Sequence, residues 1–562
     1  MKKRWKIIQT DIALVQQLQD STQLDPIICQ LLVQRGIHSS EDADNFLHPS
    51  LDQLHNPFLM QDMDKAVSRL DQAIQQNEKI LLYGDYDVDG TTSVAIMHSF
   101  LENFTDQLDY YIPDRYKEGY GVSIAGIDYA QQNGISLIIA MDCGIKAIEA
   151  VAFAKEKGID FIICDHHLPE KILPDAVAVL DPKRSDCEYP YKELCGCGVS
   201  FKLIQAFAQA QKIPFAQLIP LLDLLAIAIA CDIVPMTGEN RALTHTGLKQ
   251  LNKNPRLGIK ALIEESQRSA PLTISDVVFG IGPMINAAGR LLDAKESVKL
   301  LLSKDEVIAS KLAFTLHQQN EKRKSFDRNM LEEAQELFES RSNWQDQSII
   351  VLYQPHWHKG VVGIAASRMS EKYNKPTIML TESAGRIVGS ARTVGHYNIH
   401  EAISTHRELL ENFGGHQHAA GLTLLPENLS NFQSAMEATV KGTIQATQLS
   451  PELSVCAILP FEKITSKFWN SLQNLAPFGP KNRNPVFVTT DLQDTGDSRL
   501  LKNNHLKLSF QKGNARSING IAFGQGNQLE YIRENIFQIC YNLQENNWRG
   551  RKSIQVNVKD IK

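Results

Sequence analysis

The chain has 562 residues and a formal net charge of −6, and 43% of its residues are hydrophobic and 22% charged. One hydrophobic core stops growing well below this length, so we expect a soluble protein of three or four domains. The acidic balance disfavours a general nucleic-acid coat protein, which would be basic, and requires any contact with nucleic acid to come from local patches.

The cysteine pattern and the apolar runs indicate a reduced protein without a membrane anchor. The nine cysteines are odd in number and include no repeated Cys-x-x-Cys pair at zinc-site spacing. The amino terminus lacks the apolar core of a signal peptide. The longest apolar run, 218–229, contains Pro220 and Asp223 and is too short to span a bilayer, so it is interpreted as a buried helix. We therefore expect a cytoplasmic location.

The first half of the chain predicts a helical segment followed by a parallel sheet. Apolar pairs indicate helices up to about residue 75. From Lys79 onward, short apolar strands alternate with helix-like stretches, a rhythm typical of βαβ units in a doubly wound sheet. The predicted strands are 80–83, 108–112, 137–141, 161–164 and 176–180, with helices over 92–104 and 148–157 between them.

The second half predicts a long polar helix, a smaller α/β unit and a β-barrel. The helix runs from 304 to about 341 and is interpreted as a connector. The α/β unit has strands at 348–353 and 377–380 and ends in a glycine- and histidine-rich segment, 413–421. From about 450 onward, short strands and turns favour a small β-barrel, with the OB fold as the leading candidate.

These patterns together predict a multidomain, mixed α/β protein with five parts. They are a helical segment over 1–75, a parallel-sheet domain over 76–300, a connecting helix over 301–345, a smaller α/β domain over 346–448, and an OB-like barrel over 449–562.

Acidic and imidazole side chains follow three of the predicted strands and the buried helix. They occur in Gly-Asp-Tyr-Asp-Val-Asp-Gly at 84–90, at Asp142, in Asp-His-His at 165–167, and at Asp232. The carboxyl ends of parallel strands meet at one edge of a sheet, so these groups are expected to lie close together. Carboxylates mixed with imidazoles suit Mn²⁺ or Mg²⁺, and two such ions are the usual device for in-line displacement at phosphorus.

Each motif taken alone has a simpler interpretation. The run at 84–90 resembles a calcium-binding loop, although Ile96 stands where that loop needs a glutamate. Asp142 alone is more easily explained as a helix cap, and the residues at 165–167 as a turn. Three strand ends that all carry such groups are hard to explain by structure alone, so the combination favours a metal site.

These motifs resemble those of the DHH phosphodiesterase superfamily, and the layout of the whole chain is similar to its RecJ family of single-strand-specific exonucleases. The triplet at 165–167 stands as the eponymous motif, the run at 84–90 looks like the first motif, and Asp142 and Asp232 fit the second and fourth. Other stretches that resemble the family are 34–37, 113–121, 286–290, 357–363, 414–416 and 477–482. A mild departure lies at 480–485, where the family more often has an acidic residue.

The resemblance implies roles for individual residues. Two Mn²⁺ or Mg²⁺ ions, with Asp142 as the bridging ligand, are expected on Asp85, Asp87, Asp89, Asp142, His166 and Asp232. His167 is expected near the scissile phosphate, and Asp165 is expected to fix an imidazole tautomer. The expected phosphate-binding residues are Arg115, Arg290, Ser390, Arg392, Gly414, Gly415 and His416, for which tight turns and surface ion pairs are the alternatives.

The resemblance also implies an activity: hydrolysis of single-stranded DNA from the 5′ end to mononucleotides, in recombinational and mismatch repair. Its expected partners are the single-stranded DNA-binding protein and a RecQ-type helicase, and its expected state is a monomer. In the predicted barrel, basic residues that track a phosphate backbone alternate with aromatic residues that either stack on bases or fill the core. They are Lys502, Lys507, Lys512, Arg516, Arg549, Arg551 and Lys552, with Phe510, Phe523, Tyr541 and Trp548.

Three other functions stay open at this point. A DHH phosphodiesterase for very short oligonucleotides or cyclic dinucleotides is disfavoured by the length of the chain. A DNA-binding repair scaffold without catalysis is disfavoured because the carboxylates of the motifs are all present. A DHH inorganic pyrophosphatase would not need a single-strand-binding barrel.

Overall fold

The computed structural model describes residues 3–291, 293–445, 451–548 and 551–562. The chain forms two compact units. The smaller comprises Met1–Lys6, Arg290–Leu292 and Gln318–Leu453, and the larger comprises Ile7–Gly289, Asp293–His317 and Ser454–Lys562. Within the described residues, no helix combines the length and hydropathy that a membrane crossing requires.

The amino-terminal segment is helical as expected, except that it begins with a strand. Strand β1 (Arg4–Ile7) precedes helices α1 (Ile12–Thr22), α2 (Pro26–Val33), α3 (Ser40–Leu47) and α4 (Met63–Gln75). The side chains of Asp11, Asp25 and Ser39 cap the first three helices by accepting backbone hydrogen bonds. This strand could not be predicted from the local sequence because its partner strand is far away along the chain. The backbone N–H of Arg4 donates to the carbonyl of Pro451.

The predicted parallel sheet is confirmed, with strands within two residues of the expected bounds. Its strands are β2 (Ile80–Gly84), β3 (Leu108–Tyr111), β4 (Leu137–Met141), β5 (Asp160–Cys164) and β6 (Ala178–Leu180), in the spatial order β3-β2-β4-β5-β6. Helices α5 (Val88–Leu101), α6 (Ile124–Gln132), α7 (Ile148–Glu156) and α8 (Gly196–Ala210) follow its strands.

Alternate residues of the central strands enter two different cores, which cover both faces of the sheet. On β4, Leu137 and Ile139 pack with residues of α5 and α8, whereas Ile138 and Ala140 pack with residues of α6 and α7. Strands buried on both faces must be continuously apolar, which is why they could be predicted from the sequence. All carboxyl ends of this sheet lie at one edge, where the motifs follow.

Further helices complete the larger unit and lead into the smaller one. They are α9 (Leu222–Cys231), α10 (Gly238–Lys253), α11 (Leu257–Ser266), α12 (Ile274–Asp276), α13 (Gly282–Leu291), α14 (Lys295–Leu302) and α15 (Glu306–Glu339). Helix α9 is the predicted buried apolar helix, and α15 is the predicted long helix.

The smaller unit contains a mixed five-stranded sheet. Its strands are β7 (Ile350–Tyr353), β8 (Thr377–Ser383), β9 (Arg386–Arg392), β10 (Asn412–His416) and β11 (Ala419–Leu424), in the order β10-β11-β9-β8-β7. Strands β7 and β8 are parallel and the other pairs antiparallel. The helices are α16 (Val362–Tyr373), α17 (Ile399–Ser404) and α18 (Leu429–Thr443).

The carboxyl-terminal part of the larger unit is the predicted barrel. After β12 (Glu452–Val455), its strands are β13 (Ala457–Ile458), β14 (Phe487–Asp494), β15 (Arg499–Leu501), β16 (His505–Gln511), β17 (Ile518–Ala522), β18 (Phe537–Trp548) and β19 (Arg551–Ile561), with helices α19 (Ser466–Gln473) and α20 (Leu529–Glu534). Strand β14 pairs with both β18 and β16, which closes the sheet.

The aromatic residues of the barrel divide between its core and its surface. Phe510 and Tyr541 are fully buried, so they fill the core, whereas Phe523 is 55% exposed. The side chain of Trp548 and residue Arg549 lie outside the described part of the structure. Phe523 is therefore the one residue of this predicted set whose ring is shown at the surface.

Candidate metal centre

The turn between β2 and α5 presents three aspartates at the carboxyl edge of the sheet. Asp87 caps α5: its Oδ1 accepts hydrogen bonds from the backbone N–H of Asp89 over 2.8 Å and of Gly90 over 3.1 Å. A side chain at Gly90 would bring a Cβ within 2.4 Å of the carbonyl oxygen of Asp85. The glycine therefore lets the turn close tightly enough to bring Asp85, Asp87 and Asp89 together.

Asp89 is buried against the start of a second helix. Its two carboxylate oxygens accept hydrogen bonds from the backbone N–H groups of Gly196 over 2.6 Å and of Cys197 over 2.9 Å, at the amino terminus of α8. Burial, together with the negative charge of Asp87, raises the pKa of Asp89. The two backbone donors stabilise the carboxylate and fix its position between α5 and α8.

Asp142 ends β4 and approaches α8 closely. Its backbone has a left-handed φ of 59°, and a Cβ at Gly196 would lie 2.5 Å from the Cβ of Asp142. The hydroxyl of Tyr120 donates to the Asp142 carbonyl over 3.1 Å. Gly196 therefore has two roles at this site: its N–H holds Asp89, and its missing side chain makes room for Asp142.

His166 and Asp232 complete the cluster. Nε2 of His166 lies 3.2 Å from Oδ1 of Asp142, 3.6 Å from Oδ2 of Asp232 and 4.0 Å from Oδ2 of Asp89. Three groups of side chains have potential ligand atoms within 4.8 Å of one another: Asp85, Asp87 and Asp142; Asp89, His166 and Asp232; and Asp142, His166 and His167. The structure thus brings together all six predicted metal-binding residues.

The donor set fits divalent cations. Several buried ligand atoms form no hydrogen bond with any described residue: Oδ1 of Asp85, Oδ1 of Asp142, both ring nitrogens of His166, and Oδ2 of Asp232. Burial and neighbouring carboxylates raise the pKa of Asp85 to about 8 and that of Asp232 to about 9, and hold the pKa of Asp142 well above its ordinary value. Buried polar atoms are normally satisfied, and cations would satisfy these while neutralising the repulsion.

Asp165 binds the other histidine of the triplet. Its Oδ1 accepts a hydrogen bond from Nδ1 of His167 over 2.7 Å, and its Oδ2 accepts one from the backbone N–H of Ile145 over 2.9 Å. Burial alone would raise the pKa of Asp165, but the hydrogen bond and charge of His167 and the Ile145 N–H lower it to about 2. The pKa of His167 is raised in return, because Asp165 outweighs the effect of burial.

Two residues near the centre were not predicted from the sequence. The Tyr120 hydroxyl, besides its bond to Asp142, lies 3.1 Å from Nε2 of His167. Asp181 follows β6 and is fully buried, and burial raises its pKa to about 7. The sequence contained a signal for both residues. Tyr120 lies in the stretch 113–121, which resembles the family, and Asp181 follows a predicted strand as Asp142 does.

Arg115, a predicted phosphate-binding residue, lies beside the first motif. Its guanidinium carbon is 4.7 Å from the ring centroid of Tyr86, between Asp85 and Asp87 in sequence. Its positive charge lowers the pKa of Asp85, against the larger effect of burial. Arg115 therefore places a cation next to the carboxylate cluster.

In the smaller unit, three predicted phosphate-binding residues lie near the start of α16. Nη1 of Arg392 donates to Oγ of Ser390 over 2.6 Å, and Nη1 of Arg290 donates to the Gly360 carbonyl over 2.8 Å. A Cβ at Gly363 would come within 2.9 Å of Arg392, so the glycine admits the guanidinium. Burial lowers the pKa of Arg392, and none of the described carboxylates pairs with it.

The glycine–histidine segment, predicted to bind phosphate, forms a hairpin of β10 and β11. Gly415 has a φ of 146°, and a Cβ there would lie 2.2 Å from the carbonyl oxygen of Ala419, so the hairpin itself requires this glycine. Strand pairing through β11 connects the predicted residues of β10 with those of β9. Gly414 pairs with Gly421, which pairs with Ser390, and His416 pairs with Ala419, which pairs with Arg392.

Three families of domains match the chain in order. Residues 79–229 match the DHH family, N-terminal domain; residues 346–442 match the DHHA1 domain; and residues 457–560 match the RecJ OB domain. The mixed α/β class with a parallel DHH sheet, a DHHA1 unit and an OB barrel, expected from the sequence, is thereby confirmed.

Full-length relatives show the same family. The single-stranded-DNA-specific exonuclease RecJ of Bacillus subtilis is 37% identical over 100% of this chain and 71% of its own length. That of Haemophilus influenzae is 33% identical over 95% of this chain and 96% of its own. The crystal structure of RecJ from Thermus thermophilus in complex with Mn²⁺ superposes with a TM-score of 0.84 at 26% identity, covering 100% of this chain and 79% of that one. The chain belongs to the RecJ family of DHH proteins.

Proposed function

We propose that this chain is an exodeoxyribonuclease that hydrolyses single-stranded DNA from its 5′ end to 5′-mononucleotides, in recombinational and mismatch repair. The observation that carries the proposal is the convergence of five carboxylates and a histidine. In four of these residues, Asp85, Asp142, His166 and Asp232, buried ligand atoms form no hydrogen bond with a described residue. Such a donor set at the edge of a parallel sheet suits phosphodiester hydrolysis. The relatives that bear the name single-stranded-DNA-specific exonuclease support the substrate.

Two Mn²⁺ or Mg²⁺ ions are the proposed cofactors. Their ligands would be Asp85, Asp87, Asp89, Asp142, His166 and Asp232. Asp142 belongs to two of the three ligand groups, one with Asp85 and Asp87 and one with His166, which supports its role as the shared ligand. When bound, cations at such a site supply Lewis-acid activation of water and stabilisation of the charge on phosphoryl oxygens.

His167 is proposed to act directly on the substrate. Asp165 holds Nδ1 of His167, and Nε2, which lies 3.1 Å from the Tyr120 hydroxyl, is the proposed donor of a hydrogen bond or a proton to a phosphate oxygen. The ionised Asp165 favours the protonated ring, which is the form that can donate. Arg115, next to the first motif, would neutralise negative charge on the same phosphate.

A phosphate clamp is proposed in the smaller unit. Arg290, Ser390 and Arg392 present cations and a hydroxyl near the start of α16, while Gly414, Gly415 and His416 lie on the strand two positions from β9. The guanidinium of Arg392, which pairs with none of the described carboxylates, is well suited to bind a phosphate through two parallel hydrogen bonds. Recognition of a terminal phosphate would favour attack from the 5′ end.

The remaining parts of the chain are proposed to serve the same reaction. We propose the domain limits stated from the sequence, with a helical segment (1–75), a catalytic domain (76–300), a connecting helix (301–345), a substrate-binding domain (346–448) and a single-strand-binding barrel (449–562). The proposed partners are the single-stranded DNA-binding protein and a RecQ-type helicase. The proposed state is a cytoplasmic monomer.

A labelled-oligonucleotide assay tests the proposal. A single-stranded DNA oligonucleotide labelled at either end is incubated with the protein and Mn²⁺, and Asp87→Ala is compared with wild type. Asp106→Ala, an exposed aspartate outside the site, is the matched control. We expect early release of labelled mononucleotide from the 5′ end only, abolished in Asp87→Ala and retained in the control.

Other outcomes would replace the proposal with a named alternative. Turnover of dinucleotides without cleavage of long strands would indicate a short-oligonucleotide phosphodiesterase. Turnover of neither substrate would indicate a DNA-binding scaffold. Early release from the 3′ end would overturn the proposed polarity while leaving the metal centre in place.

A further inference from the structure

A pocket in the larger unit shares no lining residue with the metal centre. Its volume is about 900 Å³, and it lies between α10, the segment 271–275 and the segment 473–484. Its floor is apolar and is made by Leu248, Leu272, Ile274, Pro477 and Phe478. A preformed apolar concavity of this size takes the side chains of a ligand.

The lining of this pocket, which we name the α10 pocket, carries positive charge on one side. Lys249 and Lys253 are four residues apart, so they lie on one face of α10, on which His245 also lies. Lys249 and Lys253 are exposed, and neither ammonium makes a hydrogen bond or ion pair with a described residue. None of the residues that line the pocket is acidic. The two ammonium groups therefore face a lining without carboxylates.

Hydrogen bonds fix both walls of the α10 pocket. On one side the backbone N–H of Leu272 donates to Oδ1 of Asn252 over 2.6 Å, and Nδ2 of Asn252 donates to the Leu272 carbonyl over 3.0 Å. On the other side Nδ2 of the buried Asn482 donates to the carbonyls of Leu475 and Pro477, both over 2.8 Å. A ligand would not have to order these walls, which lowers the free-energy cost of binding.

The lining decides what kind of ligand fits. A nucleic acid strand is held by a series of cationic contacts and by several aromatic faces, whereas the lining of this pocket has two lysines, no arginine and a single phenylalanine, Phe478. An apolar floor beside two ammonium groups matches a peptide whose apolar side chains alternate with carboxylates. Apolar anchors in a pocket supply affinity, and charges at its rim supply orientation and association rate.

We propose that the α10 pocket docks a short acidic segment of a partner protein. Apolar side chains of that segment would enter between Leu248, Leu272 and Phe478, and its carboxylates would pair with Lys249 and Lys253. This docking proposal does not depend on the proposed nuclease activity. An experiment that contradicts one of the two proposals therefore leaves the other unaffected.

Fluorescence anisotropy with the full chain tests this proposal. The probe is a fluorescein-labelled, amidated peptide in which aspartates alternate with leucines, and a second probe has asparagine in place of aspartate. The Lys249→Glu/Lys253→Glu variant is compared with Lys311→Glu/Lys467→Glu, which reverses two exposed lysines outside the pocket. Circular dichroism verifies that both variants are folded.

We expect saturable binding of the acidic probe that weakens by roughly tenfold or more in the pocket variant and stays unchanged in the control variant. The asparagine probe should bind more weakly than the aspartate probe to wild type. Cleavage of a single-stranded oligonucleotide should be the same in wild type and the pocket variant.

Three results would overturn the proposal. The first is absence of saturable binding of the acidic probe to wild type, and the second is equal binding to the pocket variant. The third is displacement of the probe by an oligothymidylate, combined with weaker binding of that oligothymidylate to the pocket variant than to wild type. That result would identify the pocket as a nucleic-acid surface.

Discussion

Asp165 and His167 form a hydrogen-bonded pair at the carboxyl edge of the parallel sheet, with 2.7 Å between Oδ1 and Nδ1. Asp165 is buried and has a pKa of about 2, so it remains ionised whenever the protein is folded near neutral pH. The side chain of His167 is 41% exposed, and its Nε2 lies 3.1 Å from the Tyr120 hydroxyl. The pair thus joins a buried anion to a partly exposed imidazole.

Replacement of Asp165 by asparagine tests this pair. The Asp165→Asn variant retains the size of the side chain but loses the charge that favours protonated His167, so we expect kcat to fall about 10–100-fold. The measurement is kcat and KM on single-stranded DNA across pH. Asp175→Asn, an exposed aspartate of the following loop, is the control and should leave kcat unchanged. An unaltered pH profile and kcat in Asp165→Asn would show that the pair has no part in the reaction.

Gly196 provides a steric test of the metal centre. An alanine there places a Cβ within 2.5 Å of the Cβ of Asp142, so the carboxylate must move. Gly198, in the same first turn of α8, has no atom closer than 3.3 Å to an added Cβ. We expect Gly196→Ala to lose Mn²⁺ affinity by about tenfold or more, and Gly198→Ala to retain most of it. Isothermal titration with Mn²⁺ measures both, and equal affinities would contradict the close approach to Asp142.

The electrostatics of Asp142 predict opposite effects with and without metal. Burial and the charges of Asp89, Asp87 and Asp232 raise its pKa, so the metal-free fold is opposed by this carboxylate. Asp142→Asn should therefore stabilise the metal-free protein by about 1–3 kcal/mol. Wild type should gain thermal stability on addition of Mn²⁺, and the variant should gain much less. Melting curves recorded in EDTA and in Mn²⁺ test this prediction. An equal increase in thermal stability on addition of Mn²⁺ in both proteins would show that Asp142 is not a metal ligand.

The parts of the fold that could be predicted from the sequence are those determined locally. Strands β2 and β4 are continuous apolar runs because both faces of the sheet are covered, and each ends at a motif. A single topological rule then places Asp87, Asp142 and Asp165 at one edge. The convergence of these three aspartates could therefore be expected from the sequence alone.

The parts that could not be predicted depend on distant segments of the chain. The backbone donors for Asp89 come from Gly196 and Cys197, more than a hundred positions away, and the sequence near Asp89 gives no sign of them. The strand Arg4–Ile7 depends on Pro451 in the same way. The steric requirement for Gly415 also depends on the strand pairing, because an added Cβ there would meet the carbonyl oxygen of Ala419 on the neighbouring strand.

A buried ion pair joins α8 to α10 and contacts the amino-terminal segment at His55. Nζ of Lys202 lies 3.0 Å from Oε1 of Glu239, both side chains are fully buried, and Lys202 also donates to the carbonyl of His55. Lys202→Met would leave Glu239 buried without its cation, so we expect a loss of about 3–5 kcal/mol in the free energy of unfolding.

The double variant Lys202→Met/Glu239→Gln removes both charges and should recover part of this loss. Glutamine can still accept the hydrogen bond that the Tyr189 hydroxyl donates to Glu239. Urea unfolding followed by circular dichroism measures all three proteins. If the double variant were no more stable than Lys202→Met, the loss would come from packing and not from an unpaired charge.

His245, at the rim of the α10 pocket, predicts a pH dependence of stability. Burial, together with the positive charges of Lys249 and Arg241, lowers its pKa from 6.5 to about 4. The unfolded chain therefore binds a proton between pH 6.5 and 4 that the folded chain refuses, so this residue costs stability as the pH falls through that window. His245→Asn removes the effect, and the variant should gain stability relative to wild type as the pH is lowered from about 7.5 to about 4.5. Urea midpoints at the two pH values measure this difference, and parallel pH dependences of the two proteins would show that His245 titrates alike in both states.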